Sequence, residues 1–161
     1  MAEARIDALI ARLEKGRSKT QEALAGLSPE QWQTVLYLEP PWTVRDLLAH
    51  FVSSEERLLE LAQDVAAGGA GAPEGFDFDA FNAEETARLA GQPAEVLLAA
   101  LDAARGRTVD WTRTLSESQL DLPGRHPALG QITLETMITA IYGHQLLHMR
   151  DLARSLERDN G

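Results

Sequence analysis

Gly143-His144-Gln145-Leu146-Leu147-His148 lies inside an apolar-periodic segment, residues 132–156, that reads as one helix. Side chains four apart on a helix are separated by about 40° around the axis and about 6 Å along it. His144 and His148 therefore share a face and can hold one metal ion together. The pair alone also fits two surface or partly buried imidazoles. Leu134, Met137, Ile138, Ile141 and Leu152 supply the apolar stripe that the two histidines continue. This helix starts near Thr133, and its polar tail, Glu157-Arg158-Asp159-Asn160-Gly161, is expected to fray.

A third histidine sits in a second segment of this kind. Thr43-Val44-Arg45-Asp46 has the form of a capping box, a threonine cap with an acid three residues on. Val44, Leu47, Leu48, Phe51, Leu58, Leu61 and Val65 follow with helical spacing, an amphipathic helix of about 24 residues. His50 falls on the line of Leu47, Ser54, Leu58 and Leu61, so its ring points inward, and small Ser54 leaves space beside it. Read alone, His50 is either a hydrogen-bonded core histidine or a ligand. If the second and fourth long helices run in the same direction, His50 and His144 differ in depth by about 6 Å, which a one-turn stagger closes.

Two more helices complete the pattern. Residues 2–25 carry Ile6, Leu9, Ile10, Leu13, Thr20 and Leu24 on one face, with Gly26 as a stop and a short helical turn at residues 29–32. Residues 94–115 present Leu97, Leu98, Leu101, Ala104, Thr108, Trp111 and Leu115 inward. Between these lie a glycine-rich flexible connection at 66–75 and a short helix through Ala90, capped by Asp77 or Asp79. Phe76, Phe78 and Phe81 are expected to cover a bundle end. Residues 121–130 read as a loop; His126, held extended before Pro127, is a surface histidine rather than a ligand. No segment has strand periodicity. The expected architecture is all-α: one domain over residues 1–161, a four-helix bundle with a long connection between helices two and three.

Composition narrows the function. The 161 residues carry a formal net charge of −10 and no basic stripe, which disfavours a nucleic-acid partner. The absence of cysteine excludes disulfides, a thiol nucleophile and cysteine-ligated zinc. With no signal-like apolar core and no long apolar run, a soluble cytoplasmic protein without a membrane partner is expected. Trp32, Leu36 and Leu38 lie outside the main helical faces, and they serve either a homodimer or local packing.

The chain resembles the DinB/YfiT superfamily. The resemblance rests on Trp42-Thr43-Val44-Arg45-Asp46-Leu47-Leu48-Ala49-His50, on Phe78-Asp79-Ala80-Phe81-Asn82, and on Gly143-His144-Gln145-Leu146-Leu147-His148. It implies a four-helix bundle, often dimeric, with a divalent metal, usually zinc or nickel, held by His50, His144 and His148. It also implies kinship with transferases and isomerases that use low-molecular-weight thiols such as mycothiol, bacillithiol or glutathione. In the mycothiol-dependent maleylpyruvate isomerases a glutamate occupies the position of His144, and this chain departs from that pattern.

The leading expectation is a metal-dependent enzyme acting on a small molecule, such as a thiol S-transferase, with any thiol supplied from outside the chain. Three imidazoles with open coordination positions suit a catalytic rather than a structural ion. The alternatives are a bundle whose metal holds a ligand without catalysis, and one whose histidines bind nothing. Asp151 is a candidate partner for a ligand's second nitrogen, although an exposed helix acid beside Arg150 and Arg154 fits it better. Asn82 and Tyr142 are candidate pocket residues, and no general base is identified.

Overall fold

Thr43 starts the second long helix as its sequence dictates. Its Oγ1 accepts from the Asp46 backbone N–H at 3.2 Å, and the Asp46 carboxylate accepts from the Thr43 N–H at 3.0 Å. The structure, a computed structural model, describes residues 3–159. In chain order these form α1 (Ala4–Leu24), α2 (Pro29–Trp32), β1 (Val35–Leu38), β2 (Pro41–Thr43), α3 (Val44–Ala66), α4 (Phe78–Arg88), α5 (Ala94–Thr112), a 3-10 turn (Glu117–Asp121), β3 (Pro123–His126), β4 (Gly130–Thr133) and α6 (Leu134–Asp159). The long helices α1, α3, α5 and α6 make a four-helix bundle. The helix α6 continues into the stretch expected to fray; Asn160 and Gly161 lie outside the described residues.

The core divides into two levels, and these fix the direction of each helix. One level joins Ile6, Leu9 and Leu13 of α1 with Leu58, Leu61 and Val65 of α3, Val109 of α5, and Leu134, Met137 and Ile138 of α6. The other joins Leu24 with Val44, Leu47, Leu48, Leu97, Leu101 and Leu152. The start of α6 therefore packs beside the end of α3, and the two run antiparallel. The same-direction arrangement considered from the sequence is incorrect. The helices α3 and α5 run parallel, so the chain between them must return along the bundle. That return is the work of the long connection containing α4.

Two antiparallel hairpins, β1–β2 and β3–β4, interrupt the helical pattern at opposite ends. Their strands are three or four residues long, too short for an alternating pattern to show. The second hairpin replaces the expected loop around His126. The glycine-rich connection is also more ordered than expected. Ala72 N–H donates to the Arg125 carbonyl and Arg125 N–H to that of Ala70, each at 2.8 Å. Gly71 sits between them with φ at +84°, and a Cβ there would meet the Arg125 backbone, so both conformation and space call for glycine. Phe76 and Phe81 pack with tilted rings, centroids 5.8 Å apart, and border a groove along the side of α3, not the bundle end. Trp32 and Leu36 pack locally against the core, while Leu38 is 82% exposed. Among the described residues, no helix is long and apolar enough to cross a membrane.

Candidate metal centre

His50 on α3 and His144 and His148 on α6 converge from facing helices. His50 Nε2 lies 3.0 Å from His144 Nε2, and His148 Nε2 lies 3.2 Å from the same atom. Three ligand atoms, one from each residue, fall within 4.8 Å of one another. Points placed about 2.0–2.1 Å from a common centre at the corners of a tetrahedron are about 3.3–3.4 Å apart, so these separations suit one ion bound by imidazole nitrogens.

The protonation of the rings is compatible with such an ion. The Ser54 hydroxyl donates to the His50 carbonyl at 2.6 Å, so its oxygen faces His50 Nδ1, 3.2 Å away, as an acceptor. The same oxygen lies 3.5 Å from His50 Nε2, and the shorter contact favours the hydrogen on Nδ1, which leaves the Nε2 lone pair to the cluster. Ring nitrogens this close are bridged either by the N–H of a neutral imidazole or by a cation. Charged imidazolium is disfavoured: burial first, then the charges of His144 and His148, push the His50 pKa down to about 3. Burial, followed by His148, pushes His144 down to about 4. Burial also lowers His148, with Asp151 opposing. All three rings are therefore neutral at physiological pH, the form a metal requires. Proton competition with a metal therefore sets in at more acidic pH than the value of about 6.5 for free imidazole. His144 Nδ1 is buried without a hydrogen-bond partner among the described residues.

The wall of the site is aromatic on its β1–β2 side. Trp42 packs on His50 with ring centroids 4.9 Å apart, and Phe51 stands 5.9 Å from His148. Tyr37 Oη lies 2.7 Å from His148 Nδ1 and donates to Asp151 Oδ2 at 2.6 Å. Burial, then this bond to Asp151, holds the Tyr37 phenol above its ordinary pKa. Asp151 is thus not the exposed helix acid favoured from the sequence; it is half-buried and bonded towards the cluster. Tyr37 was not singled out, because a tyrosine in a four-residue strand carries no spacing signal.

His126 does not join the cluster. Its Nδ1 accepts from the backbone N–H groups of Ala128 and Leu129 at 3.0 and 3.1 Å, which stabilises the β3–β4 turn. Tyr142 packs against the apolar core, its Cβ close to Gly16, and Asn82 is half-buried on α4.

Beside the site runs a buried polar network that sequence reasoning missed. Glu55 Oε1 accepts from Arg105 Nε at 2.7 Å and from Thr108 Oγ1 at 3.0 Å. Glu55 Oε2 accepts from Arg105 Nη2 at 3.0 Å and from Gln145 Nε2 at 2.9 Å. Arg105 Nη1 donates to the Leu13 carbonyl at 3.0 Å. Four helices are tied at one depth, and Gln145, next to His144, fixes the rotation of α6 that aims its histidines.

A sequence model of the DinB superfamily matches residues 12–152. The chain belongs to the DinB superfamily. Its structural relatives include YfiT from Bacillus subtilis, a probable metal-dependent hydrolase with an unusual four-helix bundle topology. YfiT is 22% identical with a TM-score of 0.79, over 99% of this chain and 90% of YfiT. An uncharacterised protein from Escherichia coli is 18% identical with a TM-score of 0.73, over 96% of this chain and 94% of its own. The colibactin self-resistance protein ClbS, solved in complex with a dsDNA, is 17% identical with a TM-score of 0.74, over 97% of this chain and 96% of ClbS. At these identities the likeness is one of fold. No curated protein matches the sequence.

Proposed function

We propose that His50, His144 and His148 bind one divalent metal ion and that this DinB-superfamily chain is a metal-dependent enzyme acting on a small molecule. The observation that carries the reading is the convergence of three neutral imidazole nitrogens, 3.0 and 3.2 Å apart along two edges, with His50 buried and His144 and His148 half-buried. A divalent ion bound there would lower the pKa of a coordinated water or thiol towards neutrality and so supply a nucleophile. The chain's own residues hold the ligands. Ser54 orients His50, Trp42 covers it, and the Glu55 network sets the angle of α6. Three protein ligands leave open positions, as catalytic sites do.

Metal-assisted hydrolysis is supported by the probable activity of YfiT. Transfer of a low-molecular-weight thiol is supported by the family resemblance, and without cysteine the chain needs that thiol from solution. Zinc and nickel both suit imidazole ligands. A homodimer in the cytoplasm completes the reading. A DNA complex is known for ClbS, yet the net charge of −10 here favours a small-molecule partner over nucleic acid.

The test is turnover by metal-free and reconstituted protein against ester and amide substrates and against electrophiles with each thiol. Activity that returns with metal and disappears in His144→Ala supports the proposal, and the productive substrate class chooses between the two chemistries. Reconstituted protein that shifts duplex DNA but turns over no substrate would overturn the enzyme reading.

A further inference from the structure

Given the ligand role proposed for His148, we infer that Tyr37 and Asp151 are positioning residues that place the lone pair of His148 on Nε2, making the β1–β2 hairpin part of the metal site. A phenol has one proton. Tyr37 gives it to Asp151 Oδ2 at 2.6 Å, a carboxylate oxygen that can only accept. What Tyr37 turns towards His148 is therefore an oxygen lone pair, 2.7 Å from Nδ1. That contact is attractive only if Nδ1 bears the hydrogen. An imidazole protonated on Nδ1 has its free lone pair on Nε2, the nitrogen that faces His144 at 3.2 Å.

The hairpin is built to deliver this contact. Tyr37 and Trp42 are direct cross-strand partners. Such partners project side by side from one face of a sheet. Here one meets His148 edge-on, with centroids 5.7 Å apart, and the other packs on His50 at 4.9 Å. The hairpin thus touches one histidine on each of the two helices. Asp151, three residues after His148, lies on the same face of α6 and reaches the tyrosine rather than the ring. The direction of the proton chain, from His148 through Tyr37 to Asp151, is set by the carboxylate at its end.

Three substitutions separate this role from simple stapling of the hairpin to α6. Tyr37→Phe keeps the ring and removes the acceptor. Asp151→Ala frees the tyrosine hydroxyl to donate to Nδ1, which drives the hydrogen onto Nε2. Asp151→Asn retains an acceptor oxygen for Tyr37 and rescues the wild-type tautomer. The tautomer is read from ¹⁵N-resolved imidazole spectra of metal-free protein near neutral pH. Affinity is read by titrating zinc against a chelator. Wild type and Asp151→Asn should show His148 protonated on Nδ1. Asp151→Ala should show it protonated on Nε2. Asp151→Ala and Tyr37→Phe should bind zinc about 10–100-fold more weakly, the usual cost of losing the partner of a ligating histidine. Metal-free wild type with the hydrogen on Nε2, or wild-type zinc affinity in both Tyr37→Phe and Asp151→Ala, would overturn the inference. If wild type shows the Nδ1 hydrogen but binds no metal, it is the ligand reading that falls, and the metal-site role of Tyr37 with it.

Discussion

Arg105→Met should be the most destabilising single substitution at the bundle centre. Arg105 and Glu55 have side chains 2% and 0% exposed, and their charges meet at 2.7 Å. Methionine fills most of the volume but leaves the Glu55 carboxylate buried with only Thr108 Oγ1 and Gln145 Nε2 as donors. It also strips the Leu13 carbonyl of its Arg105 partner. Removing one partner of a buried ion pair costs about 3–5 kcal/mol, since the other charge is left uncompensated. For a chain of this size each kcal/mol moves Tm by about 2–4 °C, so a fall of roughly 6–20 °C is expected. Circular dichroism during thermal and urea unfolding measures it. The double variant Glu55→Met/Arg105→Met removes both charges together and should recover much of the loss. An Arg105→Met protein less than about 1 kcal/mol below wild type would refute the reasoning, because it would mean that the carboxylate is not held in a water-poor interior.

Three further outcomes follow from the same geometry. Metal-free protein should lose stability as pH falls from about 6.5 towards 4. The unfolded chain takes up protons that buried His50 and His144 refuse, about 2 kcal/mol per histidine at pH 5; a flat urea midpoint across that range would contradict it. Gly124→Ala should cost about 1–3 kcal/mol, because its new methyl would collide with Val65 Cγ2; unchanged stability in urea would show that the β3–β4 hairpin can move off α3. His126→Ala should leave metal affinity unchanged while loosening the turn of that hairpin, seen as faster amide exchange at Ala128 and Leu129.

The long helices and the shared face of His144 and His148 were legible in the sequence for local reasons, whereas His50 was joined to that pair through the family resemblance and a helix direction that the structure reverses. A capping box such as Thr43 to Asp46 reports where a helix starts, and the spacing of His144 and His148 reports a shared face. Neither depends on the rest of the fold. Helix direction was not legible, because nothing within α3 or α6 records which neighbour lies beside which end; only the two levels of the core show it. Arg105 and Glu55 escaped because a charged residue on an amphipathic helix is ordinarily placed at the surface, and their burial depends on each other across two helices. Tyr37 escaped for a related reason, and Asp151, named as a candidate partner, was given the less favoured of its two readings. The hydrogen bond that gives each its role spans 114 positions of sequence. The backbone hydrogen bonds of Ala70 and Ala72 depend likewise on Arg125, a residue of the distant β3 strand.

The central claim is tested most directly by counting metal. Protein purified without a histidine tag, stripped with chelator and then titrated with zinc or nickel, should take up one ion per chain. His144→Ala should keep its helical circular dichroism and lose tight uptake. Wild type that takes up no ion, or a His144→Ala variant that binds as tightly as wild type, would contradict the account.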